Sequence, residues 1–291
     1  MTAPTITYGH GAFTDCDDAS IWSFSQGYNI SGTSKTIEYD DILKLGATFD
    51  ESGNEFAAWD YDITNISSDV YQKIIVRWKT SVSSNGGGVR VQLQFSDATT
   101  QYIVGETNPE FSTTWKVTTA TITSGKTIDK IRVWIDDYPD SVASGMDYVY
   151  IDFVIICKGI FSFPECDELT MELNNAYADL RAPTRIGDII QYLGMNAPII
   201  RLNGKIDVDT SNWGSPYGEY LLYIWREACS DPWQWFTSDL INCKVTPRTF
   251  HISQNSDSKA LRVWSCELRK YDKSSGAETT WSGKQYYGFE S

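Results

Sequence analysis

The chain has 291 residues and carries 38 acidic against 24 basic side chains, a formal net charge of -14. That balance is wrong for a surface that tracks phosphates, which removes nucleic acid from the expected partners. A composition of 41% hydrophobic and 21% charged residues is globular, and the length suits two domains that each bury a core.

No apolar run approaches the roughly 20 residues that cross a bilayer, so no membrane insertion is expected. The start, MTAPTITYGH, has neither the basic segment nor the apolar core of a secretory signal. An extracellular role would then need a signal-free route, such as a particle released by lysis.

Residues 1–160 read as strand after strand: Thr36–Leu45, Phe56–Ile63, Lys73–Ser81, Val89–Phe95, Gln101–Val104, Trp115–Ile122, Lys130–Ile135 and Tyr148–Cys157. Segments rich in Gly, Asn, Asp, Ser or Pro separate them, and no long helical pattern intervenes. The expected fold is mainly β, with an antiparallel β-sandwich of jelly-roll type in this half.

Alternation assigns two faces to these strands. Ile131, Val133 and Ile135 oppose Arg132, Trp134 and Asp136. Val89, Val91, Leu93 and Phe95 oppose Arg90, Gln92 and Gln94. Ile74, Val76 and Trp78 oppose Ile75, Arg77 and Lys79. Trp59, Tyr61 and Ile63 oppose Asp60 and Asp62. Val149, Ile151, Phe153 and Ile155 oppose Tyr148, Tyr150 and Asp152.

If the strands are neighbours, one outer face gathers Asp60, Asp62, Arg77, Arg90, Gln92, Gln94, Arg132, Trp134, Tyr148 and Tyr150. Planar donors, amides and exposed aromatics suit a sugar ring, whose hydroxyls take hydrogen bonds while its CH face stacks. A solvated face laced with cross-strand ion pairs is the other reading.

The run FSTTWKVTTATITSGKTIDKIRVWIDD followed by YVYIDFVII resembles carbohydrate-binding modules of the galactose-binding-like jelly-roll superfamily. Ser112, Trp115, Ile128, Ile131, Ile151 and Asp152 carry the resemblance, which covers about half the chain and marks fold better than ligand. It implies a glycan ligand. It also implies a structural Ca²⁺ between the N-terminal segment and the last strand, with Asp15, Asp18 and Asp152 as candidate ligands. Turn capping is the other role for these acids.

From Phe161 the grammar changes. Leu169, Met171 and Leu173 alternate ahead of Asn174 and Asn175, so a hairpin into Ala176–Leu180 is expected. Asp188–Leu193 and Pro198–Val208 read as two strands joined by a turn. Arg201, Asn203 and Lys205 fall on alternate positions of the second strand. A helix is expected over Tyr217–Ala228, then strands at Trp233–Phe236, Cys243–Ile252 and Leu261–Tyr271. Residues 161–291 thus make a β-rich α+β domain with one packed helix.

Arg185, Gly187, Ile189, Gln191, Leu193, Gly194, Ile200, Leu202, Gly204, Ile206, Pro232 and Phe236 give this half its pattern. It is similar to that of tailed-phage tail and baseplate proteins of the tail-tube-like fold. The resemblance implies a ring-forming homo-oligomer in a virion tail, with neighbouring tail proteins and a host-surface glycan as partners. Arg201, Asn203 and Lys205 become candidates for lining a lumen or meeting a neighbouring subunit. A free or scaffold-tethered carbohydrate-binding protein is the alternative.

Catalytic groupings are not expected. No acidic pair sits in a glycosidase-like motif, and neither His10 nor His251 lies near a nucleophile elbow. The six cysteines lack zinc-ligand spacing. Cys157 and Cys166 flank the domain junction and are candidates to pair, with buried free thiols as the other reading.

Overall fold

Alternating apolar residues bounded by turn residues become strands through most of the described residues. The computed structural model describes residues 3–14, 16–38, 42–50, 55–138, 145–164, 166–172, 175–180, 189–195, 198–207, 217–254 and 261–270. The first strands are β1 (Thr5–Thr14), β2 (Trp22–Tyr28), β3 (Ile30–Glu38), β4 (Ile42–Phe49), β5 (Phe56–Ser67), β6 (Lys73–Thr80), β7 (Gly86–Phe95), β8 (Thr100–Val104), β9 (Lys116–Thr121), β10 (Thr127–Tyr138) and β11 (Met146–Ser162). There follow β12 (Cys166–Glu172), β13 (Asn175–Leu180), β14 (Ile189–Met195), β15 (Ile199–Asp207), α1 (Tyr217–Cys229), β16 (Gln234–Thr237), β17 (Asn242–Gln254) and β18 (Leu261–Lys270). Among the described residues no helix is long and apolar enough to cross a membrane.

Contacts divide the chain into two units, His10–Gly159 and Met1–Gly9 with Ile160–Ser291. The sequence reading set residues 1–160 together. The structure groups the first nine with the later residues, because Thr5 and Ile6 pair with Thr237 and Phe236 of β16.

The unit His10–Gly159 is an antiparallel β-sandwich. One sheet runs β2-β5-β10-β7-β8, and the other runs β3-β4-β11-β6-β9. The inward residues of both meet in a single core: Trp22, Trp59 and Ile63 with Val89, Val91, Leu93, Ile131, Val133 and Ile135 from the first sheet, and Leu43, Leu45, Ile74, Val76, Trp78 and Val149 from the second. Each large side chain buried there contributes about 1.5–3 kcal/mol.

Two bulges alter the simple alternation. In β11 the register shifts between Ile151 and Phe153, so Val154 and Ile156 join Val149 and Ile151 in the core. The expected inward pair, Phe153 and Ile155, turns to the other side of the sheet. One extra residue in a ladder reverses every later side chain. In β2 the shift falls between Phe24 and Gln26, which leaves Trp22 facing the core and sends Tyr28 outward.

The expected strand Thr36–Leu45 is two strands, β3 and β4, paired to each other. Strands β1 and β2 escape the periodicity search. TITYGHGAFT and WSFSQGY are broken by glycine and serine and carry no clean two-residue alternation.

In the other unit the sheet runs β12-β15-β18-β17-β16, completed by the first residues of β1. Helix α1 packs against β17 through Leu221 and Ile224, which join Ile200, Leu202, Phe236, Val245 and Trp264 in a second core. Phe163 stacks on Trp264 at 5.3 Å, and Phe250 meets Trp225 in a tilted pair at 5.3 Å. Gln234, fully buried, takes a hydrogen bond from Thr7 and donates to Ala228 O and Asp231.

The expected β12–β13 hairpin does not form. β12 pairs with β15, whereas β13 pairs with β14. Of the pattern that opens the phage-like resemblance, Arg185 and Gly187 lie outside the described residues.

None of the six cysteines is joined in a disulfide, so Cys157 and Cys166 do not pair. The Sγ of Cys157 donates to Gly159 O and that of Cys166 to Glu168 O. Burial pushes the Cys243 thiol up to about 11.

The β7–β8 turn closes with Phe95 N donating to Thr99 O and Ala98 N to Phe95 O, both at 2.9 Å. Lys126 and Thr99 both bond to Asp97 and hold its carboxyl at about 2, so the clasp is lost only as pH falls through that value. Ala98 sits at φ +64, a conformation that costs an L residue roughly 1–2 kcal/mol. Ala98→Gly is therefore expected to stabilise the sandwich by about 0.5 kcal/mol, after the extra chain entropy of glycine is subtracted. Ala98→Val should destabilise it by roughly 1 kcal/mol, since branching at Cβ worsens the clash. Urea unfolding of the full chain, followed by tryptophan fluorescence, reads both signs.

Candidate functional site

The outward residues of the β2-β5-β10-β7-β8 sheet form a grid set by strand register. One row is Ser23, Asp60, Arg132, Gln92 and Tyr102. The next holds Gln26, Ala58, Trp134 and Arg90, and a third Tyr28, Phe56 and Asp136. Asp62, Lys130 and Gln94 stand on the other flank of the first row.

Three rings make a strip across β2, β5 and β10. Tyr28 stacks on Phe56 with centroids 6.3 Å apart, and Phe56 meets Trp134 edge to face at 5.0 Å. Tyr28 is 56% exposed, while Phe56 and Trp134 are half-buried. The small Ala58 lies between Gln26 and Trp134 in the ladder, leaving the rings as the relief of the surface. The indole N–H of Trp134 is buried and finds no acceptor among the described residues. Such an unsatisfied donor is uncommon in a native interior.

Ion pairs frame the strip. Arg132 grips both oxygens of Asp60, Nε to Oδ1 at 2.5 Å and Nη2 to Oδ2 at 2.7 Å. Gln94, its amide oxygen turned toward Arg132, accepts from Nε at 3.1 Å and Nη1 at 2.9 Å. The guanidinium carbon lies 5.5 Å from the Trp134 ring, so this clamp also seats the indole. On the opposite flank Arg90 Nε meets Asp136 Oδ2 at 2.5 Å and its Nη1 reaches Gly105 O at 3.3 Å. Gly105 has φ +69, and a Cβ there would strike Val89 O at 2.9 Å and Arg90 Cγ at 3.0 Å, so the arginine lies flat against bare backbone. Burial pushes the Asp136 carboxyl up, and Arg90 opposes it.

The single outer face expected from the sequence is thus two. Asp60, Arg90, Gln92, Arg132 and Trp134 share this sheet, whereas Arg77, Tyr148 and Tyr150 lie on β6 and β11 of the other sheet. Alternation sorts inward from outward residues but cannot tell which sheet of a sandwich a strand joins. The roles shift as well. Asp60 is 4% exposed and held by Arg132, which is half-buried, so the pair braces the surface from below. Gln92 is also buried, at 5% exposure.

Sequence reasoning missed Tyr28, Phe56 and Tyr102 as members of the face. Tyr28 depended on the β2 bulge, which substitutes two residues for one and has no mark in the sequence beyond the run Ser25–Gln26–Gly27.

Of the acids considered for Ca²⁺, Asp15 lies outside the described residues. Asp18 caps the short helix Ala19–Ile21, accepting from Ser20 N at 2.7 Å. Asp152 pairs with Arg77 at 2.5 Å. Among the described residues no group of three or more His, Cys, Asp or Glu is gathered as Ca²⁺ ligation would need.

The three residues assigned to assembly do alternate on β15, with Ile200 and Leu202 pointing into the core. Their polar ends are engaged across their own sheet. Arg201 pairs with Glu172 and with Glu267, Asn203 donates to Glu168 at 2.9 Å, and Lys205 lies 3.5 Å from Asp167.

No protein-family model and no curated protein matches the chain. Among solved structures it is similar to the family 11 carbohydrate-binding module of the cellulosomal cellulase Lic26A-Cel5E of Clostridium thermocellum. That match has 13% identity over 52% of this chain and 95% of the other, with a TM-score of 0.36. TmCBM27, described for specific mannan recognition, gives 13% identity over 52% and 98%, with a TM-score of 0.33. CBM29_1, a family 29 module from Piromyces equi, gives 13% over 54% and 91%, with a TM-score of 0.31.

The Asp60–Arg132 clamp makes a directional prediction. Arg132→Ala leaves a buried carboxylate with Lys130 as its nearest cation, at 3.6 Å, and should cost about 3 kcal/mol. Replacing both partners, Asp60→Leu with Arg132→Met, should cost less than that single change, because no charge is then stranded. Urea denaturation of the two variants decides the order.

Proposed function

We propose that His10–Gly159 is a non-catalytic carbohydrate-binding module that holds a polysaccharide chain across β2, β5 and β10. The Tyr28–Phe56–Trp134 strip carries this reading. Its rings offer CH-stacking surfaces in a line, and exposed aromatics in such an array are otherwise costly to leave in water. Tyr102 and the Arg90–Asp136 pair beside the strip supply donors and acceptors for hydroxyls. The lack of catalysis is argued from the carboxylates. Asp60 and Asp62 stand near Lys130, Asp60 is clamped by Arg132 and Asp136 is paired with Arg90, whereas glycoside hydrolysis needs a free acid and a free base or nucleophile.

The residues from Ile160 onward are proposed to multiply this site by self-association, as a ring-forming tail or baseplate subunit of a virus-like particle displaying the module to a host-surface glycan. The support is the sequence pattern, together with Leu222 and Tyr223, 53% and 48% exposed side by side on α1, and Leu240 at 72%. Repetition around a ring raises avidity with no new contact per site.

Tyr28→Ala with Trp134→Ala should weaken retardation in native gels containing neutral β-glucans or mannans by roughly tenfold or more, equal to about 1.4 kcal/mol. Unchanged retardation would make the strip ordinary surface. For the second unit, mass photometry of the full chain is expected to show closed multiples of the protomer. A strict monomer at micromolar concentration overturns the ring and leaves a free or scaffold-tethered binder.

A further inference from the structure

The sandwich has a second outward face, on the β3-β4-β11-β6-β9 sheet, whose chemistry differs from the first. Its side chains alternate between cation and ring. Lys44 Nζ lies 4.1 Å from the Tyr148 ring and 5.6 Å from Tyr150. Lys79 Nζ lies 4.7 Å from Tyr150 and 5.0 Å from Trp115, and Arg77 Cζ lies 4.7 Å from Trp115. The three rings are half-buried, so each keeps part of its surface in solvent. Backbone geometry builds this array. Gly46 stands opposite Tyr148, and a Cβ there would meet Tyr148 Cε1 at 2.8 Å and Ser34 Oγ at 2.4 Å, so the missing side chain is what admits the ring.

Two of the three cations are already answered. Lys44 bonds to Glu38 at 2.6 Å and Arg77 to Asp152 at 2.5 Å. Lys79 has no carboxylate partner among the described residues, and it stands between two rings. An ammonium held against two aromatic faces without an anion is an incomplete arrangement. It is also out of character on a chain of net charge -14, where a chance patch would be acidic.

We propose that this face is a second binding site, independent of the first, for an anionic polysaccharide. The sugar rings lie on Tyr150 and Trp115, and a carboxylate or sulfate of the chain completes the pairing of Lys79. A neutral glycan would leave the lysine unanswered.

Native electrophoresis of the full chain in gels containing polygalacturonate, dextran sulfate or neutral dextran tests this. Retardation is expected in at least one anionic gel and not in dextran. Polygalacturonate alone would assign a carboxylate, dextran sulfate alone a sulfate, and both a site that reads charge. Retardation of so acidic a protein by a polyanion runs against bulk electrostatics, so it reports a local site. Lys79→Ala should reduce it at least about fivefold, the size of one charge-assisted contact, and Lys79→Arg should retain most of it. Trp134→Ala, on the opposite sheet, should leave it unchanged. The proposal is overturned by free migration in both anionic gels, by retardation that survives Lys79→Ala, or by loss in Trp134→Ala. The last result would move the polymer to the first face, whereas failure with neutral glycans alone bears on that first face and not on this one.

Discussion

Strand β10 lies between β5 and β7, and its register is the constraint on which the outward face depends. Ile131, Val133 and Ile135 go into the core at 0–1% exposure, so Arg132, Trp134 and Asp136 must come out. A slip by one residue would bury two charges and expose three aliphatic side chains. The Asp60–Arg132 clamp pins the same register from outside, since its forked geometry is satisfied at a single alignment of β5 and β10. Core and clamp therefore select one pairing by independent means.

Much of the sandwich was legible because its central strands are buried on one side. In β5, β6, β7 and β10 the inward residues are those the alternation picks out, and α1 and β16–β18 fall within a few residues of their expected places. What escaped had a physical cause in each case. β1 and β2 lack alternation because glycine and serine interrupt them. The β12 partner was misassigned because a strand followed by a turn signal looks like half a hairpin wherever the chain goes next. The two-sheet division of the expected face is a fact of topology, and single-strand periodicity carries none.

Residue types were read better than residue roles. Arginine and aspartate on an outer face suggested ligand contacts, yet Asp60 and Arg132 satisfy each other. Desolvating a charge is costly enough that a buried carboxylate recruits its nearest guanidinium before any ligand arrives. The surface that remains open is aromatic, and one of its three rings, Tyr28, came from a strand the sequence had concealed. On the opposite sheet the rings and lysines alternate instead of segregating. The two faces of one sandwich thus present a mainly apolar strip and a cation–ring ladder.

The bulge in β11 has a consequence for how this fold tolerates change. By setting two residues against one, it advances the phase of the strand by half a period, so the stretch after Ile151 reads its inward positions on the even numbers and the stretch before it on the odd. A ladder without the bulge would exchange Val154 and Ile156 for Phe153 and Ile155 in the core with every apolar residue still present, whereas loss of Asp152 would close the bulge and keep Val154 and Ile156 inside. All four are bulky and hydrophobic, so a hydropathy profile would barely register the event. The position behaves as a reading frame within the folded strand, in which length matters more than the side chain that fills it.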